Sequence, residues 1–364
     1  FISAHDYNPF QNTALPVVKA PTRQLDMWDQ VDVLVVGGGT SGVAAAMMSA
    51  ENGLRAVIVE MNPRVGGTGT VGGVQSYWFG RDDGYSARML KEIKKAHHEF
   101  HVPIPEGDIP RWNIEVKAWT LIKELHQRGV RVFFNTLMIG TIKDDRKISG
   151  VVCASPEGLG YIQSRVVIDA TGDGDLAVFA GGEFTIGSAR NRSTMWYSLA
   201  QFTGPGQTTN NFTSMVDVGN VEDYTRAILS GRRRGQQTVE HGTYLATRES
   251  RLIIGETRVT LTDQLRRKKF KDVIHIAFSN YDVKGHTDSD WLRAGLIPPN
   301  LEIEIPLGAI LAKGFDNLLV VGKAISVSHD ALPSVRMQRD LENLGAVAGS
   351  IAAMACQSGC DVRE

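Results

Sequence analysis

This sequence has few cysteines, almost no net charge and no long apolar run, and each of these features excludes a class of protein. Three cysteines among 364 residues are too few for a disulfide framework. We predict unpaired structural thiols, with one bridge or redox pair between Cys356 and Cys360 as the alternative. A formal net charge of −1 does not favour nucleic acid or an anionic membrane as a partner. No apolar run reaches the ~18 residues that a membrane span needs.

The chain begins at Phe1 rather than at methionine, and residues 1–27 are polar and irregular. We expect this segment to be an extension outside the folded domains. An export signal could have preceded it, so the sequence leaves both a cytoplasmic and a periplasmic location open.

The strongest positive pattern is a strand, a glycine turn, a helix and a second strand within residues 31–60. The apolar run Val33–Val36 is typical of a buried parallel strand, and the turn after it is Gly37-x-Gly39-x-x-Gly42. Gly37 permits the tight turn, Gly39 permits close approach of a pyrophosphate, and Gly42 permits close packing of the helix on the strand. The pattern therefore predicts a dinucleotide site.

Two further features favour a dinucleotide site over a Gly-rich turn in an ordinary βαβ unit. The N–H groups of the first helical turn, which contains Thr40 and Ser41, would face the phosphates. The second strand ends in Glu60, close to the spacing of about 20 residues at which a carboxylate accepts hydrogen bonds from a ribose hydroxyl. An acid at this position favours FAD or NAD over NADP.

Glycine-rich segments later in the chain extend the predicted site, because each would let the backbone run close to the cofactor. The predicted contacts are Gly66, Gly67 and Thr68 in the loop 62–80, Gly172 and Asp173 after a strand that ends at 169, and Gly322 after a strand at 316–321. Alternatively, the loop is a flexible surface loop and the segment around Gly172 is an ordinary corner between a strand and a helix.

A Gly- and Ala-rich helix is predicted from about Val335 to Cys356, with Pro333 in its first-turn region. Helices are also predicted at 86–100 and 113–128, and a small antiparallel sheet at 138–143, 148–154 and 161–167. Residues 183–300 lack an alternation of strand and helix, which favours a separate cap or substrate domain.

Four polar residues are candidates for chemistry. Arg248 and Arg251 are three apart, so they would share a helical face or point the same way around a turn and clamp an anion or sugar hydroxyls. They could instead bridge nearby acids such as Glu249. His329 and Arg336 flank the start of the predicted C-terminal helix, where His329 is either a catalytic base or a hydrogen-bonded structural residue.

Several motifs together resemble the FAD-dependent oxidoreductases of the glutathione-reductase-like superfamily, and in particular a bacterial branch whose members mostly have no assigned substrate. They are GGGTSG, VGGTGTVGG, VIDATGDGDLAVFAG, TRESRLIIGE and NLLVVGKAIS…DALPSVRMQ…LGAVAG. The resemblance implies an α/β fold, with a three-layer Rossmann-like FAD-binding domain and an inserted α+β cap domain. It places the FAD contacts at Gly37, Gly39, Thr40, Ser41, Gly42, Glu60, Gly66, Gly67, Thr68, Gly172, Asp173, Gly322 and Arg336.

The same resemblance suggests how the domains divide. We expect a discontinuous FAD-binding domain at 28–80, 114–190 and 301–358, and a cap domain at 81–113 and 191–300. No second GxGxxG follows a strand, so a separate NAD(P)H domain is not expected, and no metal site is predicted.

The expected function is transfer of a hydride from a small hydroxyl- or amine-bearing substrate, such as a sugar or hydroxy acid, to FAD. His329 would be the base, and Arg248, Arg251 and Arg336 would orient polar groups or stabilise negative charge. The electron acceptor is not identified, and the chain could be a homo-oligomer or a subunit of a complex. The alternatives are a flavin-dependent reductase of an unsaturated carboxylic acid and a non-catalytic or electron-transfer FAD-binding subunit.

Overall fold

The computed structural model describes residues 24–212, 214–217, 220–234 and 239–364. Its strands, in chain order, are β1 (Asp26–Val36), β2 (Ala56–Val59), β3 (Arg131–Phe133), β4 (Leu137–Asp144), β5 (Lys147–Ser155), β6 (Gly158–Asp169), β7 (Phe184–Ile186), β8 (Ser198–Gly204), β9 (Gln207–Phe212), β10 (Glu240–Ala246), β11 (Arg251–Ile253), β12 (Val273–Ser279), β13 (Leu301–Pro306) and β14 (Leu318–Val320). Its helices are α1 (Thr40–Glu51), α2 (Gly84–Glu99), α3 (Ile114–Gln127), α4 (Asp175–Phe179), α5 (Val221–Arg234), α6 (Leu261–Leu265), α7 (Asp290–Arg293) and α8 (Gln338–Ser358).

A seven-stranded sheet of order β3-β2-β1-β6-β5-β4 organises the fold, with β14 pairing with β6. Strands β1, β2, β3, β6 and β14 are parallel, whereas β5 is antiparallel to both β6 and β4. The strands predicted as a small antiparallel sheet do pair in that way, and they belong to the main sheet. The reason is the length of β6, whose first half pairs with β5 while its last three residues pair with β14.

The sheet is covered on both faces, as the unbroken apolar run in β1 predicts. Val33 and Val35 contribute to a core with α1 and α8, whereas Leu34 and Val36 contribute to a second core with β5 and α4. This arrangement confirms the predicted α/β class and the layered Rossmann-like architecture.

Helices α1 and α8 pack against each other at unusually short range. A Cβ added at Gly345 would lie 2.2 Å from the Ser41 carbonyl oxygen, and one added at Gly349 would lie 2.2 Å from the Ala45 carbonyl oxygen. Glycines four apart on α8 thus accommodate the backbone of α1. The small residues of α8 therefore allow close approach to another helix.

The predicted start of the C-terminal helix is wrong by three residues. Pro333 lies in a separate one-turn 3₁₀ helix, Leu332–Ser334, and α8 begins only at Gln338. Between them Met337 is extended, with φ −69° and ψ 143°, which interrupts the helical hydrogen bonding. Arg336 therefore precedes the helix and does not lie in its first turn.

The region predicted as a cap contains an antiparallel sheet of order β10-β8-β9, and two antiparallel pairs, β7–β11 and β12–β13, cross its proposed boundaries. However, β13 lies beyond the proposed boundary at residue 300, and α2 packs against α3 and α8. The domain boundaries therefore remain a proposal. Among the described helices, none is both long and apolar enough to cross a bilayer.

Candidate active site

The turn after β1 has the geometry that its glycines were predicted to allow. Gly37 has φ +98°, and a Cβ there would lie 2.4 Å from the Ala170 carbonyl oxygen. A Cβ at Gly42 would lie 1.9 Å from the Gly37 carbonyl oxygen. A Cβ at Gly39, in contrast, would meet no atom closer than 3.9 Å. Gly37 and Gly42 therefore fix the turn, while Gly39 leaves space for another molecule.

That space belongs to a cavity of about 550 Å³, a size typical of small-molecule sites. Nine of the thirteen predicted FAD contacts line this cavity: Gly39, Thr40, Ser41, Gly67, Thr68, Gly172, Asp173, Gly322 and Arg336. Arg248 also lines it. The structure thus brings together segments that lie up to about 300 residues apart in the sequence, as Thr40 and Arg336 do.

Gly37, Gly42, Gly66 and Glu60 are not among the cavity-lining residues. Glu60 lies at the end of β2 and is 5% exposed, and its Oε2 accepts a hydrogen bond of 2.6 Å from the Gly38 N–H. Its Oε1 accepts from both N–H donors of Asn62 at 2.7 Å. Burial raises the pKa of Glu60. Its contact with a ribose hydroxyl remains a prediction.

The glycine-rich loop is packed, in agreement with one of the two interpretations of the sequence. Gly66 and Gly67 have φ of +100° and +50°, and a Cβ at Gly67 would lie 2.9 Å from the Gly39 Cα. Trp112 donates a 2.8 Å hydrogen bond from Nε1 to the Gly69 carbonyl, which fixes the far side of the loop. The loop therefore forms a wall of the cavity.

The Gly172–Asp173 corner is held by two cations. Lys323 donates from Nζ to the Asp173 carboxylate at 2.8 Å and to the Gly172 carbonyl, and Arg251 donates from Nε to the Asp173 carbonyl at 2.8 Å. Burial would raise the pKa of Asp173, but the charges of Lys323 and Arg251 outweigh it and lower that pKa. Arg251 also pairs with Asp175.

Arg248 and Arg251 do not point the same way, so that prediction is wrong. Arg251 is the first residue of β11, and its side chain binds the corner just described, outside the cavity. Arg248 lies in the preceding turn and enters the cavity, where it donates from Nη1 to the Trp196 carbonyl at 2.8 Å. The chain changes from a turn at Arg248 to strand β11 at Arg251, and the two side chains therefore point in different directions.

One side of the cavity carries four charged side chains, which we call the basic wall: Arg248, Asp282, Lys284 and Arg336. Arg336 donates from Nη2 to the Asp282 carbonyl at 2.5 Å and to its carboxylate at 3.1 Å. Lys284 pairs with the same carboxylate at 2.8 Å. Burial and then the charge of Arg336 lower the pKa of Arg248 to about 9.

His329 does not line the cavity and is 4% exposed. Its Nδ1 lies 2.7 Å from Oε1 and 2.9 Å from Oε2 of Glu249, and its Nε2 lies 3.0 Å from the His286 carbonyl. Burial would lower the pKa of His329, but the bond to Glu249 outweighs it and raises that pKa to about 9. A ring that donates from both nitrogens has no lone pair left. The base role of His329 remains a prediction that this geometry does not favour.

Several cavity residues were not predicted. Lys323 directly follows Gly322, and its charge beside a glycine turn was an available signal. Asp282 and Lys284 lie in an irregular segment after β12, where no periodicity marks them. Gln338 lines the cavity and donates from Nε2 to the Val74 and Ser76 carbonyls at 3.0 and 3.1 Å.

The profile of the family described as FAD dependent oxidoreductase matches residues 32–239 and 220–364. The chain belongs to this family. Its cofactor is FAD, and the members of the family are FAD-dependent oxidoreductases.

Among curated relatives, the thiamine thiazole synthase of Aeropyrum pernix is 25% identical over 186 residues, which are 47% of this chain and 65% of that protein. The thiamine thiazole synthase of Pyrococcus horikoshii is 29% identical over 153 residues, or 40% of this chain and 58% of that protein. The matches therefore span less than two thirds of the length of these relatives.

The OxyS anhydrotetracycline hydroxylase of Streptomyces rimosus is similar in structure, with a TM-score of 0.51 at 12% identity. The superposition covers 91% of this chain and 63% of that one, and it shows a shared fold.

The residues of the cavity fit FAD. The Ser41 hydroxyl, in the first turn of α1, is buried without a hydrogen-bond partner in the described part of the chain, as expected of a donor to a phosphate. The open space at Gly39 lies beside it. Bound FAD would supply a two-electron acceptor.

Proposed function

We propose that this protein oxidises a small polar organic compound by transferring a hydride from a C–H bond next to a hydroxyl group to FAD. The hydroxyl proton leaves at the same time, so the substrate becomes a carbonyl compound and FAD gains two electrons. The observation that supports this proposal is the continuity of one cavity, from the dinucleotide turn at Gly39 to the basic wall.

Different residues act at the two ends of that cavity. Ser41 and the N–H groups of the first α1 turn would hold the phosphates of FAD. The basic wall orients the substrate and favours negative charge as it develops. Asp282, the one carboxylate of that wall, is the proposed acceptor of the hydroxyl proton, directly or through water.

His329 and Glu249 are positioning residues in this proposal. Glu249 accepts a 3.0 Å hydrogen bond from the Met195 N–H, and His329 reaches the His286 carbonyl. The buried pair therefore links two segments of the basic wall. Met195 precedes Trp196, whose carbonyl accepts a hydrogen bond from Arg248, and His286 lies two residues after Lys284.

The basic wall also favours a second candidate, a flavin-dependent reductase of an unsaturated carboxylic acid, because Arg248 and Arg336 can hold the acid. The likeness to thiamine thiazole synthases covers under half of this chain and supports no transfer of that activity.

The test is anaerobic spectroscopy of the FAD-loaded protein. Hydroxy acids and sugars are mixed with the oxidised protein, and unsaturated acids with the dithionite-reduced protein. Bleaching of the flavin by a hydroxyl compound supports the oxidation, while reoxidation by an unsaturated acid supports the reductase. A protein that binds FAD but gives neither response is an electron-transfer or binding subunit, and the proposal fails.

A further inference from the structure

The three-stranded sheet β10-β8-β9 packs directly on the glycine-rich loop. A Cβ added at Gly73 would lie 2.2 Å from the Ala200 Cβ, and one added at Gly72 would lie 3.0 Å from the Ala246 Cβ. Thr208 of β9 also donates from its hydroxyl to the Gly73 carbonyl at 2.5 Å. All three strands of this sheet therefore contact the loop that forms one wall of the cavity.

The chain that follows β10 contacts the opposite wall, at the Gly172–Asp173 corner. Thr247 donates from its hydroxyl to the Asp173 carboxylate at 3.5 Å. Ser250 donates from its hydroxyl to the Gly172 carbonyl at 3.4 Å. The end of β10 is thus held between the loop on one side and the corner on the other.

The same two walls flank the open space at Gly39. A Cβ added there would lie 3.9 Å from the Gly67 Cα of the loop and 4.0 Å from the carbonyl oxygen of Ala170, two residues before Gly172. Because β10 reaches both walls, its end spans the part of the cavity at the dinucleotide turn. This is the part where the phosphates of FAD are expected.

Tyr244 is a large side chain that β10 directs into this space. Side chains alternate across a strand, and Leu245 is buried in a small core with Leu199 on one face. Tyr244 and Ala246, on the other face, line the cavity. The Tyr244 side chain is 40% exposed, and its hydroxyl has no hydrogen bond to another described residue. It is therefore available to a ligand.

Two carboxylates at the dinucleotide end of the cavity act on Tyr244. Partial burial, and then the negative charges of Asp173 and Glu60, raise the pKa of Tyr244 to about 12. The hydroxyl therefore stays protonated near neutral pH. A protonated hydroxyl can donate a hydrogen bond to a phosphate or ribose oxygen.

We propose that Tyr244 binds FAD by donating a hydrogen bond from its hydroxyl to the ADP half of the cofactor. The end of β10 then closes the cavity over the dinucleotide turn. Residues 191–300 were predicted to form a cap or substrate domain, and this proposal gives one strand of that region a role in cofactor binding. It depends on the FAD cofactor and not on the oxidation proposed above.

The test is displacement of FAD from the loaded full chain by its two halves, ADP and riboflavin, which together make up the cofactor. Each is titrated separately at constant ionic strength, and the released FAD is separated by filtration and quantified by chromatography. Dissociation constants for both halves follow from their competition with FAD. The affinity for FAD itself is measured by equilibrium dialysis, and urea midpoints report the stability of each variant.

Tyr244→Phe isolates the hydroxyl, because it keeps the ring. It is expected to weaken the binding of FAD and of ADP by about 5- to 10-fold, the effect of losing one hydrogen bond, and to leave riboflavin binding unchanged. Tyr244→Ala also removes the ring and is expected to weaken FAD and ADP further. Trp291→Ala is the control: this aromatic residue on α7 is 61% exposed, does not line the cavity and should leave all three affinities unchanged.

Three outcomes would overturn the proposal. FAD affinity that is unchanged in both Tyr244 variants removes any role in cofactor binding. A loss confined to riboflavin contradicts the assignment to the ADP half. ADP binding in Tyr244→Phe that equals the wild type contradicts the hydrogen bond, whatever the effect of Tyr244→Ala. Because Tyr244→Phe is conservative, this comparison decides the question even if Tyr244→Ala fails to fold.

Discussion

Replacing Gly345 by alanine tests how tightly α8 lies on the dinucleotide turn. The added Cβ would come 2.2 Å from the Ser41 carbonyl oxygen and 2.8 Å from its Cα, so backbone rather than a flexible side chain must give way. Alanine gains about 1 kcal/mol in helix propensity over glycine. Overpacking costs about 1–3 kcal/mol, and a contact this short with backbone belongs at the upper end. We expect a net destabilisation of about 1–2 kcal/mol.

Gly349→Ala is the matched variant, one helical turn further along α8. Its Cβ would meet the Ala45 carbonyl oxygen, also at 2.2 Å, but Ala45 is outside the first turn of α1. Both variants should therefore lose similar stability, whereas only Gly345→Ala should also weaken FAD binding, because it displaces Ser41.

The assay is urea denaturation of the apoprotein together with FAD titration followed by flavin fluorescence. Met354→Ala, 66% exposed on α8, is the control and should change the free energy of unfolding little. If Gly345→Ala is more stable than the wild type, helix propensity outweighs the contact and the close helix packing is refuted. Equal loss of FAD affinity in both glycine variants would refute the link to the turn.

Three further predictions follow from buried polar groups. Ser41→Ala should weaken FAD binding by about 5- to 10-fold, with little change in apoprotein stability, because its hydroxyl has no hydrogen-bond partner among the described residues; equilibrium dialysis and urea midpoints test this. Lys117→Met should cost about 3–5 kcal/mol, because it removes the cation 2.9 Å from the buried Glu342 carboxylate and leaves that charge, among the described residues, only the Tyr77 hydroxyl donor; a second change, Glu342→Leu, should recover part of that loss. His329→Gln should lower the urea midpoint. The difference in urea midpoint between the variant and the wild type should be largest below pH 6.5 and should be lost as the pH rises through about 9, because His329 then loses the proton that attracts Glu249. A difference in midpoint that does not change with pH would contradict the ion pair.

Local backbone rules made the nucleotide-binding unit predictable. The strand Ala56–Val59 and the turn through Gly37 depend on residues close in sequence, so apolar runs and glycine spacing were sufficient. The start of α8 was not predictable in this way. Pro333 is equally compatible with a one-turn 3₁₀ helix, and only tertiary packing decides that the chain extends at Met337 before α8 begins.

The side-chain chemistry of the cavity depends on pairings that no local pattern encodes. His329 was predicted from its place before a helix, but its properties come from Glu249, which lies 80 residues away in sequence. Arg248 and Arg251 are equivalent in the sequence pattern, but β11 begins at Arg251, and the two side chains bind different partners, the Trp196 carbonyl and the Asp173 carbonyl. Because Asp282 comes from an irregular segment, the sequence alone gave no sign that one carboxylate would face three cations. The role proposed for Asp282 thus depends on side chains that meet only when the chain is folded.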